Sequence, residues 1–381
     1  MTIMTRLMMM PFLALTSLAP CGPAVAQESE QETVELPAPA GQFAVGSYVW
    51  RWIDEERPLD RGAADKRRRE IMAQLWFPAE PQPVDAKRPY RPLAKGRFNF
   101  VVANATPGAP FAEDAGKARV IVLCPGRGVS AGYNSVVAEG LASQGYAVLA
   151  LDSPGLGYVE YPDGRVDDTS GEFQPSFELI TGPYEKVDEF FEPAVELGLA
   201  DYRFALDTLK EIGRKDAGGR FTGRLDFSKI GVYGHSLGGR ICGSLAQVDR
   251  RVAAFAAMEG VAPPEARRGG YRGASLMLYS SELPEEMALP NIREIFDFRK
   301  GASTILRLEG FGHNSVTDRP ILFPDSFNYS VEPERALRLT IRILTEFFGA
   351  TFDDRPFPVE KLAEEPEITI VETSLTPPND D

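Results

Sequence analysis

Short apolar runs alternate with longer amphipathic stretches through most of the chain. The runs Phe43–Trp52, Ile71–Phe77, Val120–Cys124, Ala147–Leu151, Ile230–Tyr233, Ala253–Met258, Leu276–Tyr279 and Ile305–Leu308 have the length and residue types of strands. Between and after them, Asn134–Ser143, Tyr184–Ile212, Leu237–Val248 and Pro333–Phe348 carry helical periodicity. Apolar strands separated by amphipathic helices predict a mostly parallel sheet covered on both faces. No internal repeat is visible, so the expectation is one α/β domain over residues 42–352, between a flexible lead at 27–41 and an acidic, Pro-rich, loosely attached tail at 353–381.

One segment breaks the alternation. Residues 152–200 hold twelve acidic and two basic side chains, together with Phe173, Phe177, Tyr184, Phe190 and Phe191. An insertion of this kind reads either as a lid over a site or as a solvated acidic helix face. A lid of that charge disfavours anionic substrates.

Composition narrows the chemistry. With 41 Lys plus Arg against 55 Asp plus Glu in 381 residues, the net charge of −14 speaks against nucleic-acid binding. The one dense basic run, Lys66-Arg67-Arg68-Arg69, is too short to change that. The two histidines, His235 and His313, exclude a multi-histidine metal centre, and no metal or organic cofactor is implied. The three cysteines, Cys21, Cys124 and Cys242, form no C-x-x-C pair.

Residues 1–26 read as a cleavable secretory signal. Arg6 precedes the mostly apolar stretch from Leu7 to Leu18, and Ala24-Val25-Ala26 supplies small residues before Gln27. Pro20 before Cys21 departs from a lipoprotein box, so lipid anchoring at Cys21 is the lesser alternative to a periplasmic or secreted protein. No later segment is long and apolar enough to span a bilayer. Cys124 and Cys242 lie in apolar runs, which favours burial as small hydrophobes over pairing.

The chemical signal lies in Ile230-Gly231-Val232-Tyr233-Gly234-His235-Ser236-Leu237-Gly238-Gly239. Gly234-x-Ser236-x-Gly238 between an apolar strand and a helical run matches a nucleophile elbow, a sharp turn that lifts the serine hydroxyl above the sheet at a helix N-terminus. A serine needs a base. His235 adjoins the nucleophile on the turn, so its ring is expected to point away and pack against neighbouring strands. That leaves His313, just after the strand Ile305–Leu308. An acid to orient it must follow a strand between the two; Glu259 and Glu282 both do, and strand position alone does not separate them. Backbone N–H groups of Arg127, in Leu123-Cys124-Pro125-Gly126-Arg127-Gly128, and of Leu237 are the expected oxyanion donors.

From Arg69 to Phe348 the chain resembles the platelet-activating-factor acetylhydrolase-like, dienelactone-hydrolase-related serine esterases of the α/β-hydrolase superfamily. The resemblance rests on Ile71-Met72-Ala73-Gln74-Leu75-Trp76-Phe77-Pro78-Ala79, on Gly234-His235-Ser236-Leu237-Gly238-Gly239, and on Gly312-His313-Asn314-Ser315-Val316-Thr317-Asp318. It implies an α/β-hydrolase fold, a small-molecule ester substrate of short to medium acyl chain, and an acid directly after the strand that follows the elbow helix, which favours Glu259 over Glu282. Two features depart from the family: a Glu where Asp is usual, and Pro125-Gly126 in place of a His-Gly pair in the oxyanion loop. An amidase or peptidase, a polyester depolymerase, and a non-catalytic binding protein on the same fold are the competing expectations.

Overall fold

Val120 and Val122 join one apolar cluster while Ile121 and Leu123 join another, and Ala147, Leu149 and Leu151 alternate with Val148 and Ala150 in the same way. Both faces of the sheet are therefore buried, which explains why these strands are continuous apolar runs rather than alternating ones. The computed structural model describes residues 33–59, 67–83, 85–90, 98–169, 174–180 and 183–375. The expected signal at 1–26 with Cys21 lies outside the described residues, as do Lys66, Phe173 and the last residues of the tail, 376–381.

Among the described residues a ten-stranded sheet runs through Ile368–Ser374, Ser303–Leu308, Ala274–Ser280, Val252–Met258, Leu225–His235, Ala118–Cys124, Ala147–Asp152, Arg68–Ala79, Ala44–Pro58 and Thr106–Pro107, in that spatial order. The six strands from Ser303–Leu308 to Ala147–Asp152 are parallel. Arg68–Ala79 is antiparallel to both of its neighbours. Helices Ser135–Ser143 and Pro333–Phe352 cover one face through Val137, Leu141, Leu337, Leu344 and Phe348. Helices Tyr184–Arg214, Leu237–Val248 and Glu285–Asp297 cover the other through Tyr202, Leu206, Ile241, Leu245 and Ile292.

Two end segments correct their expectations. Residues 353–375 are not a loosely attached tail: Ile368–Ser374 adds an antiparallel edge strand to Ser303–Leu308. Ile368 is buried there, and Arg335 and Arg342 of the preceding helix bind Glu365, with Arg335 also binding Glu367. Much of the acidic composition that suggested a solvated tail is paired, Glu365 and Glu367 with these arginines, Asp353 with Arg119, Asp354 with Lys229 and Glu372 with Arg293. Nor is the described end of the lead free, since Val34–Glu35 pairs with Val101–Val102 and Leu36 is buried. The helix Glu285–Asp297 is not among the helices named from periodicity; Pro284 before it and Pro290 within it blur its spacing.

The register of the parallel strands fixes where the site must lie. His235 pairs with Met258, Met258 with Leu278, and Ser280 with Leu308. Residues 236, 259, 281 and 309 consequently leave the sheet side by side along one carboxyl edge, the edge where open parallel sheets place their ligands.

Candidate active site

The elbow is made by close backbone approach. A side-chain carbon on Gly234 would stand 2.2 Å from the Gly238 carbonyl oxygen, and one on Gly238 only 1.9 Å from the Cys124 carbonyl oxygen, so neither position admits a Cβ. Between them Ser236 adopts φ 56°, ψ −122°, a conformation L-residues rarely hold. Its N–H donates to the Met258 carbonyl at 2.9 Å, and its own carbonyl accepts the Gly239 N–H at 3.0 Å. The helix Leu237–Val248 begins at the next residue. The strain is held by the strands on either side of the elbow.

Glu259 is the next residue at the edge, also at positive φ, 50°. That turn swings its side chain back over the strand ends. One carboxylate oxygen accepts the Ser280 N–H at 2.9 Å and the Ser280 hydroxyl; the other lies 2.5 Å from Nδ1 of His313. The Glu259 side chain is 1% exposed and that of His313 36%, so the carboxylate is sealed while the imidazole remains reachable. Burial raises the Glu259 carboxyl pKa, but hydrogen bonds and charge from His313, with those from Ser280, outweigh it and hold it below the usual value. For His313 burial opposes the charged ring, and Glu259 outweighs it, so the imidazole lies above its usual value.

Glu282 also reaches this loop, by a different atom: its carboxylate accepts the backbone N–H of His313 at 2.8 Å. The structure thus brings both candidate glutamates to His313, Glu259 to the ring and Glu282 to the main chain. Ser280, whose two donors fix Glu259, carries no signal of its own in the sequence, where it is one polar residue past the apolar run Leu276–Tyr279. Asp318 carries the histidine loop onward. Its buried carboxylate accepts the Ser135 and Val136 amides at the start of helix Ser135–Ser143 and the Tyr90 hydroxyl, and burial pushes it up to about 7.

The loop after Cys124 lies directly over the elbow, where a side-chain carbon on Gly126 would meet Ser236 Cβ at 3.4 Å. Gly128 N–H donates to the Leu156 carbonyl at 2.9 Å and Ala131 N–H to Asp152 at 2.5 Å, so the first residues of the acidic insertion brace the loop that contains Arg127. Burial lowers the Arg127 guanidinium pKa from its ordinary value.

The His235 ring does not pack as expected. It meets the imidazole of His313, with ring centroids 4.6 Å apart, and the Gly126 turn. Cys124 and Cys242 are both buried free thiols. Among the described residues, no group of three or more His, Cys, Asp or Glu side chains is arranged to hold a metal ion, and no helix is long and apolar enough to cross a membrane.

The insertion's long helix exposes Glu185, Glu189, Glu192 and Glu196 on one side. Two acids of this helix are inside: Asp188 binds Arg240 at 2.7 Å and Arg267 at 3.0 Å, and Asp201 binds Nε and Nη2 of Arg69, at 2.6 and 2.5 Å. Arg69, from the dense basic run, is an internal residue.

A family model described as alpha/beta hydrolase fold matches residues 119–271, a span that includes Ser236 and Glu259 and ends before His313. None of the curated proteins matches the chain in sequence. A ferulic acid esterase from Streptomyces cinnamoneus superposes with a TM-score of 0.71 at 26% identity, covering 89% of this chain and 99% of that one. The parallel sheet covered on both faces, the strained serine between Gly234 and Gly238 at its carboxyl edge, and these two likenesses agree: this chain has the α/β-hydrolase fold.

Proposed function

We propose that this protein is an exported serine hydrolase that cleaves carboxylic esters through an acyl-enzyme, with Ser236 as nucleophile, His313 as base and Glu259 as the acid that orients it. The observation that carries the reading is the sealed Glu259 carboxylate on Nδ1 of a reachable His313, at the same sheet edge as the strained Ser236. With Nδ1–H given to Glu259, Nε2 keeps its lone pair and takes the Ser236 proton as Oγ attacks the ester carbonyl. Glu259 stabilises the imidazolium that forms, in keeping with the upward displacement of the His313 pKa. The oxyanion receives the N–H groups of Leu237, at the helix start, and Arg127, in the loop over the elbow. Collapse passes the proton from Nε2 to the leaving alcohol, and water activated by the same nitrogen releases the acid.

The resemblance to the platelet-activating-factor acetylhydrolase-like esterases supports esters of short to medium acyl chain. The ferulic acid esterase likeness adds hydroxycinnamate esters to the substrates to be tried. The deciding experiment is hydrolysis of p-nitrophenyl acetate, butyrate and octanoate and of methyl ferulate by the mature protein, with Ser236→Ala and a peptide panel alongside. Ester turnover lost in Ser236→Ala is the expected result, and the chain-length trend sizes the acyl pocket. Turnover of peptides alone would replace the ester reading with an amidase, and no turnover of any substrate above Ser236→Ala would contradict the enzyme reading.

A further inference from the structure

The reaction described above uses one of the chain's two histidines; the other lies against it. His235 is 4% exposed, and among the described residues neither of its ring nitrogens makes a hydrogen bond of good geometry. Its ring stands 4.6 Å from that of His313 at a tilt of 48°. On another side its Nδ1 lies 3.2 Å from the point where a side-chain carbon on Gly126 would sit. The ring therefore fills the space between the loop over the elbow and the imidazole of the base.

Two unpartnered ring nitrogens are costly to bury, and a hydrocarbon ring would avoid that cost. With no well-formed hydrogen bond to either nitrogen, the ring acts at this position chiefly through its flat shape and lack of charge. The surroundings hold it neutral: burial first, then the charge of His313 and, least, that of Arg319 depress its pKa to about 3, against opposing contributions from Glu259 and from the His313 main chain. A neutral ring neither competes with His313 for the Ser236 proton nor repels the imidazolium.

We propose that His235 is a positioning residue for the base: a neutral ring wedged between Gly126 and His313 that keeps the His313 imidazole from turning away from Ser236 and keeps water from its face. The proposal rests on the assignment of His313 as base. Removing the ring frees the imidazole to rotate, and small misplacements of a reacting group cost up to about 100-fold in rate. Water admitted beside His313 also relieves the burial that opposes its charged form, so its pKa rises further.

The test compares His235→Ala and His235→Phe with the parent on the best p-nitrophenyl ester. Rates are counted per serine titrated by a fluorophosphonate, so that partial unfolding does not enter. His235→Ala is expected to lose about 10- to 100-fold in kcat with KM within about threefold, and its acid limb should move to higher pH. His235→Phe restores a flat neutral ring and is expected to recover most of the lost kcat and to return the limb toward the parent. His235→Gln, polar but without a ring, should behave like His235→Ala and serves if that variant gives no titratable enzyme. Parental kcat and acid limb in His235→Ala, or a His235→Phe as impaired as the ring-less variants, overturns the proposal. An untitratable parent overturns the hydrolase reading instead.

Discussion

The sheet edge around Ser236 and the seat of the long helix Tyr184–Arg214 both bury carboxylates, yet they choose opposite partners. Glu259 faces an imidazole, a group whose charge changes within the ordinary pH range. Asp201 is fully buried and faces the bidentate guanidinium of Arg69, with Arg57 at 2.9 Å, and Asp188 faces Arg240 and Arg267. Guanidinium groups keep their charge, so these partners act as fixed struts. They tie the insertion's helix to the strands Arg68–Ala79 and Ala44–Pro58 and to the elbow helix Leu237–Val248. The same group, a sealed carboxylate, suits proton transfer in one place and a fixed scaffold in the other, because imidazole exchanges a proton in the ordinary pH range and guanidinium does not.

That contrast can be broken by substitutions at either end. Ser236→Ala should abolish measurable acyl-enzyme turnover. Glu259→Gln should follow, with kcat down by about 10⁴-fold and little change in melting temperature. It should also shift the acid limb of kcat/KM to lower pH, because the carboxylate that raises the His313 pKa is gone. In the parent that limb should lie above the ordinary histidine value, and rate should fall as pH drops through it. Stability has the opposite sign: the His313–Glu259 contribution is fully present below the unfolded histidine pKa and is lost as pH rises through the raised folded value.

Asp201→Asn should reverse the pattern seen in Glu259→Gln. It leaves Arg69 buried without its carboxylate, so denaturant unfolding should show a loss of about 3–5 kcal/mol, while kcat per titrated serine changes little. The smallest effect is expected for Glu282→Gln. An amide oxygen still accepts the His313 N–H, so kcat should fall by no more than about fivefold, the loss of charge on one hydrogen bond being worth about 1 kcal/mol. A drop comparable to that of Glu259→Gln would erase the distinction between ring contact and main-chain contact.

Much of this site is legible in the sequence because its signals are local. Gly234-His235-Ser236-Leu237-Gly238 carries its own steric reason, and a chain with two histidines offers few bases. Apolar runs locate the strands, since burial on both faces leaves no polar interruption. The remainder depends on partners distant in sequence. Ser280 matters because of a side chain 21 residues away, and Asp201 because of one 132 residues away. The strand Ile368–Ser374 hides in an acidic stretch where Glu365 and Glu367 are met by Arg335 and Arg342 and Glu372 by Arg293. The direction of the His235 ring likewise follows from the loop at Gly126 and the ring of His313, neither of which is close to it in sequence.

The central claim, that Ser236 is a nucleophile served by His313 and Glu259, is tested most directly by intact-mass and peptide analysis after treatment with a fluorophosphonate at neutral pH. The account predicts one phosphonyl adduct per chain, carried by Ser236, absent in Ser236→Ala and formed far more slowly in Glu259→Gln. No adduct in the folded parent, or an adduct on another residue that persists in Ser236→Ala, would contradict it.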